Sequence, residues 1–217
     1  MDLVTTSRAD YAAYRPLLKA FQADSGISVK LFLLVTFHPV TLEYKQAEQQ
    51  VDELLAALDQ FGFPVIFTMP NADTAGRIIA AKMRQWVREH PGLGVTVDNF
   101  GAEAYHSVLR LAVAVVGNSS SGLIEAPSFR VPAINVRNRQ AGRVRAANVI
   151  DVGGLHADIL SGIAKAASSG FRESLHSLVN PYASKANSAV STITNVLNRI
   201  DLGDSLVQKR FHNLHDS

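Results

Sequence analysis

The chain has 217 residues, 47% of them hydrophobic, enough to bury a full core in one large domain or in one domain plus a fragment of another. Its 21 Lys and Arg against 19 Asp and Glu leave a formal charge of +2 with no basic run, so no nucleic-acid partner is expected. The absence of cysteine excludes disulfides and thiolate chemistry; with no leader pattern and no apolar run near the roughly 20 residues of a membrane span, the expected compartment is the cytoplasm, away from membranes.

Short β-branched runs alternate with stretches of helical period, the pattern of an α/β fold with a doubly wound parallel sheet. A strand at Leu3 to Thr5 leads through Thr6-Ser7-Arg8-Ala9 into a helix from Asp10 to about Ala23, with Tyr14, Leu17, Leu18 and Phe21 on one face. The strand-like run Ile27 to Phe37 is about twice the mean strand length of roughly 5 to 6 residues. After the loop His38-Pro39-Val40-Thr41, a helix from about Ala47 to Gln60 places Val51, Leu54, Leu55 and Leu58 at helical spacing, and the strand Pro64 to Thr68 follows. A helix over Asp73 to Glu89, a strand over Gly94 to Val97, a short helix over Glu103 to Leu111 and a strand over Val113 to Val116 come next. Beyond the Gly/Ser loop that ends this strand, Leu123 to Ser128 reads as a helix and Val131 to Val136 as a buried strand. Val149 to Val152 is a further short strand, and helices are expected near Ala157 to Ala167 and Ala186 to Ile200 before a polar tail.

The segment with the most chemical content is Gly117-Asn118-Ser119-Ser120-Ser121-Gly122-Leu123-Ile124-Glu125. Its two glycines allow a tight turn and close approach of a ligand, and its hydroxyls and free N–H groups gather where a strand passes into a helix, which suits a diphosphate. Glu125 lies about one and a half turns into that helix and is placed to accept from both hydroxyls of a ribose, the part an acidic residue plays in dinucleotide folds. A serine-capped helix with a solvated glutamate explains the same letters, since the segment is neither a Walker loop nor GxGxxG.

Other candidates sit at expected strand ends. His38 projects from a strand's carboxyl end, where α/β sheets bind ligands, although a histidine so placed is more often structural. Asn71, after Met69-Pro70, is either a ligand amide or a turn former. Arg137, Arg139, Arg143 and Arg145 either neutralise an anion or form a solvated basic loop. Arg8 follows the first strand, and Asp10 caps the helix behind it.

Taken together, Thr36-Phe37-His38-Pro39-Val40-Thr41, Pro70-Asn71-Ala72-Asp73, the 117 to 128 segment ending Ala126-Pro127-Ser128, and Arg139-Gln140-Ala141-Gly142-Arg143 resemble the hydrolysing UDP-N-acetylglucosamine 2-epimerases. The resemblance covers residues 33 to 214 as that family's carboxyl-terminal domain, half of a glycosyltransferase-B-type fold of two Rossmann-like domains. Residues 1 to 32 resemble the opening strand, helix and second strand of its amino-terminal domain, a βαβ remnant. Roughly 150 residues, most of a domain, would ordinarily lie between Phe32 and Leu33, and an internal deletion there accounts for the overlong 27 to 37 run. The domains expected are thus 1–32, 33–200 and a tail over 201–217.

By the same resemblance Arg8, His38, Asn71, Ser119, Ser120, Glu125 and Arg139 hold UDP, with the main chain near Phe100 against uracil. The implied reaction removes the proton at sugar carbon 2, expels UDP to leave a glycal and adds water to give N-acetylmannosamine for sialic-acid-type sugars. It uses no cofactor or metal. The partner is UDP-N-acetylglucosamine or a related UDP-sugar, and a homo-oligomer is compatible with the family. His38 is placed to assist UDP departure, but the family's acid and base carboxylates belong to the missing stretch, so turnover is expected to be impaired. Two other readings share the sequence: a non-catalytic UDP-sugar binding module, and a donor-binding domain of a glycosyltransferase-B or dinucleotide enzyme, the last disfavoured by the missing GxGxxG.

Overall fold

The computed structural model describes residues 32–70, 74–183, 188–200 and 203. The chain divides into two units, Met1–Pro181 and Tyr182–Ser217. The first holds a six-stranded parallel sheet of β1 (Leu33–Thr36), β2 (Val65–Thr68), β3 (Gly94–Val97), β4 (Ala114–Gly117), β5 (Ala133–Val136) and β6 (Val149–Val152), in the spatial order β3-β2-β1-β4-β5-β6. Its helices are α1 (Ala47–Phe61), α2 (Thr74–Glu89), α3 (Gly101–Leu111), the short α4 (Ser121–Ile124), α5 (His156–Ala167) and α6 (Ser169–Ser174). The second contains α7 (Ser188–Leu197), whose Val190, Ile193, Val196 and Leu197 are exposed. Among the described residues no helix is long and apolar enough to cross a membrane.

A parallel sheet requires cover on both faces, and alternation along the central strands provides it. Leu33, Val35 and Phe37 join Ala114 and Val116 in a core with Val51, Leu54 and Leu58 of α1, Ile79, Met83 and Trp86 of α2, and Ile159 and Ile163 of α5. Leu34 and Val115 point the other way, into a second core with Leu109 of α3, Ala126 and Val131. Each of the fully buried leucines and isoleucines contributes about 1.5–3 kcal/mol of apolar burial. The Trp86 ring meets Phe67 edge to face at 5.4 Å, and its indole N–H donates to Asp59 at the surface. Val95 of β3 is exposed, as befits an edge strand.

Several boundaries differ from the sequence reading, for local reasons. A 3₁₀ turn over Thr41–Gln46 precedes α1, where only a loop was expected, and α6 was not anticipated. The expected helix over Leu123 to Ser128 is instead α4, stopping at Ile124, followed by a 3₁₀ turn over Ala126–Phe129. Pro127 has no N–H to continue an α-helix, and Arg130 ends the turn in the left-handed region at φ 59°. Among the described residues the sheet begins at Leu33, and residues 27–31 of the long 27 to 37 run lie outside them. The expected elements at Leu3 to Ala23 lie outside them.

The strand order reverses direction at β1, which has β2 on one side and β4 on the other. Chains leaving the carboxyl ends of β1 and β4 therefore diverge to opposite faces and open a crevice between them. The register Thr36↔Gly117 brings the loop after Thr36 and the loop after Gly117 side by side at that crevice.

Candidate functional site

Gly117 is the point on which the site is built. Its φ of +136° is open to glycine, and a Cβ there would stand 2.0 Å from the Thr36 carbonyl oxygen. The turn this permits sends Asn118 down between the strand ends, where it is fully buried. Asn118 N–H donates to Thr36 O at 3.2 Å. Its side chain accepts from His38 N–H at 2.7 Å and donates to His38 O at 2.8 Å, so an amide side chain extends the β1–β4 pairing past the last ladder bond. Its carbonyl accepts from Arg139 Nη1 at 3.0 Å and Gln140 Nε2 at 2.8 Å. One buried asparagine thus ties together the loops that follow β1, β4 and β5.

On the other side of the loop, α3 supplies two consecutive side chains. Tyr105 Oη and Ser121 Oγ are 2.6 Å apart, and His106 Nε2 lies 3.3 Å from Glu125 Oε1. Burial pushes the Tyr105 phenol above its usual range, so it remains protonated and hydrogen-bonding at neutral pH. Thr36 and Thr68 pair through their hydroxyls at the ends of β1 and β2. These groups border a cleft of about 570 Å³ that includes Thr36, Thr68, Phe100, Tyr105, Ser119 and Glu125.

The arginines after β5 divide into two pairs. Arg137, at φ 65°, bonds Glu43 at 2.7 Å, and Arg145 bonds Asp151 at 2.8 Å. Arg137 holds the Glu43 carboxyl below its ordinary range, with Gln50 assisting against the cost of burial. Arg139 and Arg143 make no ion pair among the described residues. Partial burial, and then the neighbouring Arg143 charge, lower the Arg139 pKa from its ordinary value, and arginine stays cationic there. Two neighbouring like charges with no ion-pair partner among the described residues are suited to an anion.

The family model described as UDP-N-acetylglucosamine 2-epimerase matches residues 5–198. The chain belongs to the UDP-N-acetylglucosamine 2-epimerase family.

Among similar curated proteins, a GDP/UDP-N,N′-diacetylbacillosamine 2-epimerase (hydrolyzing) of Campylobacter jejuni is 36% identical over 132 residues, 59% of this chain and 34% of that protein. The polysialic acid biosynthesis protein P7 of Escherichia coli is 36% identical over 180 residues, 82% of this chain and 45% of that protein. The chain therefore spans between a third and a half of the length of these relatives. In fold it is similar to a UDP-GlcNAc 2-epimerase from Neisseria meningitidis bound to UDP-GlcNAc, with a TM-score of 0.64, 14% identity, and coverage of 88% of this chain and 51% of that one.

Of the site residues expected in this epimerase-family chain, His38, Phe100, Ser119, Ser120, Glu125 and Arg139 all lie at the carboxyl edge of the sheet or on the loops that leave it. Arg8 and Asn71 lie outside the described residues. Two expectations change. Glu125 is not inside a continuous helix but at the break between α4 and the 3₁₀ turn, which leaves its side chain half-buried at the cleft. Arg137 and Arg145, first grouped with Arg139, are occupied by Glu43 and Asp151 and are not available to an anion. Asn118 and Gln140, which the sequence places only as members of longer motifs, and Tyr105 and His106, which no motif contains, take part in the hydrogen bonds of the site. For Asn118 a signal existed, because a buried amide beside a glycine at a strand end has to satisfy backbone groups nearby.

Proposed function

We propose that this chain is the UDP-binding half of a hydrolysing UDP-N-acetylglucosamine 2-epimerase, which releases UDP and N-acetylmannosamine for sialic-acid-type sugar synthesis. The observation that carries the reading is the serine-lined turn that Gly117 and Asn118 hold open beside Arg139, a cation with no ion-pair partner among the described residues. A nucleoside diphosphate has the matching chemistry: an anion for the arginines and serine hydroxyls, and a ribose for a carboxylate.

In this reading Ser119, Ser120 and Arg139 take the diphosphate, and Glu125 accepts from the ribose hydroxyls. The main chain at Phe100 flanks the base, and Arg8 and Asn71 complete the UDP contacts. His38, fixed through its main chain by Asn118, faces the leaving group. These groups act at the step in which the bond from sugar carbon 1 to the diphosphate oxygen breaks, because fixed donors lower the cost of charge developing on that oxygen. Removal of the proton at carbon 2 needs a base, and the family's carboxylates belong to the stretch absent between Phe32 and Leu33. Impaired turnover with retained UDP binding is the consequence. The C. jejuni and E. coli relatives support a bacterial sugar-acid role and a diacetylated UDP-sugar as an alternative substrate.

A second reading, a non-catalytic UDP-sugar binding module, is favoured by the state of the cleft's carboxylates. Asp98 pairs with Arg84 at 2.9 Å and Glu125 contacts His106, which leaves neither placed as a proton-abstracting base. A UDP-release assay with UDP-N-acetylglucosamine separates the two. Release above the uncatalysed background, however slow, supports the enzyme and refutes the module, whereas UDP binding with no release above background refutes the enzyme and supports the module.

A further inference from the structure

We infer that His106 is a positioning residue for the nucleotide, gripping one oxygen of Glu125 so that the other is presented to a ribose, and that it thereby sets the preference for ribose over 2′-deoxyribose. The inference rests on the nucleotide reading of Glu125 and adds to it a residue from another element.

Glu125 is the junction residue between α4 and the 3₁₀ turn, its main chain held by an N–H bond to Ser121 O at 3.0 Å. Its side chain is 39% exposed, and a glutamate that free pays rotamer entropy on each binding event. Across the loop, His106 Nε2 stands 3.3 Å from Oε1. A carboxylate only accepts, so the imidazole presents an N–H at Nε2 in this contact, whether neutral or protonated. Oε2 accepts no hydrogen bond from a described residue, and Glu125 borders the cleft.

The imidazole is itself braced. Its ring lies against Phe129, with centroids 5.4 Å apart and planes tilted by 44°, and the Arg110 guanidinium lies over the Phe129 ring, 5.2 Å from its centroid. One residue earlier, Tyr105 bonds Ser121 at 2.6 Å, so α3 is tied to both ends of α4, at Ser121 and at Glu125. Two consecutive side chains of one helix thus make α3 the template on which the second half of the Gly117 to Glu125 segment is preset. Preset groups bind more tightly because the ordering cost is already met by the fold.

The 2′-hydroxyl is where this arrangement is read. A carboxylate with one oxygen fixed offers the other in a single direction, and a ribose meets it with adjacent hydroxyls that a deoxyribose lacks in part. The ratio of affinities for UDP and 2′-deoxy-UDP therefore depends on His106, whereas the binding of the diphosphate does not.

Calorimetric titration of the full chain with UDP and with 2′-deoxy-UDP tests this. Wild type is expected to favour UDP by roughly tenfold or more, His106→Ala to compress that ratio by roughly three- to tenfold, and His106→Gln, which retains an N–H donor, to restore it. His106→Leu keeps the apolar packing against Phe129 and carries the same expectation as alanine, so it decides the matter if the alanine variant folds poorly. In a Glu125→Gln background the His106 substitutions should change nothing further. A wild type that binds no UDP overturns the nucleotide reading and this inference with it. A wild type that discriminates, with the ratio unchanged in both His106→Ala and His106→Leu, overturns the role of His106 alone, as does a glutamine variant that behaves like alanine.

Discussion

Asn118 closes both polar groups of the His38 main chain at once, accepting from its N–H at 2.7 Å and donating to its carbonyl at 2.8 Å. The asparagine is fully buried, and the two residues meet because β1 and β4 are neighbours at the point where the strand order reverses. Replacing it by alanine removes both of these bonds to the part-buried His38 main chain. The expected cost is about 2–4 kcal/mol, read as a lower urea midpoint at unchanged m-value. Asn118→Asp should cost at least as much, since its second oxygen would face the His38 carbonyl. A loss under about 0.5 kcal/mol for both would show that the bridge contributes little.

Gly117 provides the companion test. Alanine at this position meets the Thr36 carbonyl at 2.0 Å on a backbone with φ +136°, and the expected destabilisation is at least about 3 kcal/mol. Gly170 in α6 is the control: a Cβ there meets nothing within 4 Å, so Gly170→Ala should be neutral or stabilising by up to about 1 kcal/mol. Thermal melts of the two variants side by side check the contrast.

What the sequence disclosed and what it concealed follow a physical division. The α1 core positions Val51, Leu54 and Leu58 were legible because helical period shows within one turn of chain, and all three are buried. The strand-to-loop passage at Gly117 was legible for the same local reason. The break at Glu125 does not show in apolar period, because what stops the α-helix is the N–H that Pro127 lacks. The partners of Asn118 and Arg137 were not legible. His38 is 80 positions from Asn118 and Glu43 is 94 from Arg137, and only the sheet order brings them together.

That distinction between Arg137 and Arg139 leads to opposite behaviour in two variants. Arg137→Ala breaks a part-buried pair with Glu43 and should cost about 1–2 kcal/mol of stability, between the values for exposed and buried pairs. Arg139→Ala should leave stability nearly unchanged, since Gln140 still bonds the Asn118 carbonyl, and should weaken UDP binding by about 1.5–3 kcal/mol. If Arg137→Ala alone lost UDP affinity, the assignment of the two arginines would be reversed.

The Glu43 pair also fixes a pH dependence. Arg137 holds the folded-state pKa of Glu43 below the ordinary 4.5, so the unfolded chain takes up the proton first as acid is added. The stabilisation is present above 4.5 and is lost as pH falls from there through the folded value. The stability gap between wild type and Arg137→Ala should therefore be constant from pH 7 to about 5 and shrink below that. Denaturant melts at pH 7, 5 and about 3.5 would contradict this by showing a gap that does not narrow.

The most direct measurement is calorimetric titration of UDP into the wild-type chain and into Glu125→Ala. Binding by the wild type, weakened in the variant by about 1.5–3 kcal/mol or roughly 10- to 150-fold, is the expected result. A wild-type chain that takes up no UDP, or a Glu125→Ala variant that binds it equally well, would contradict the claim that the Gly117 to Glu125 turn is a nucleotide grip.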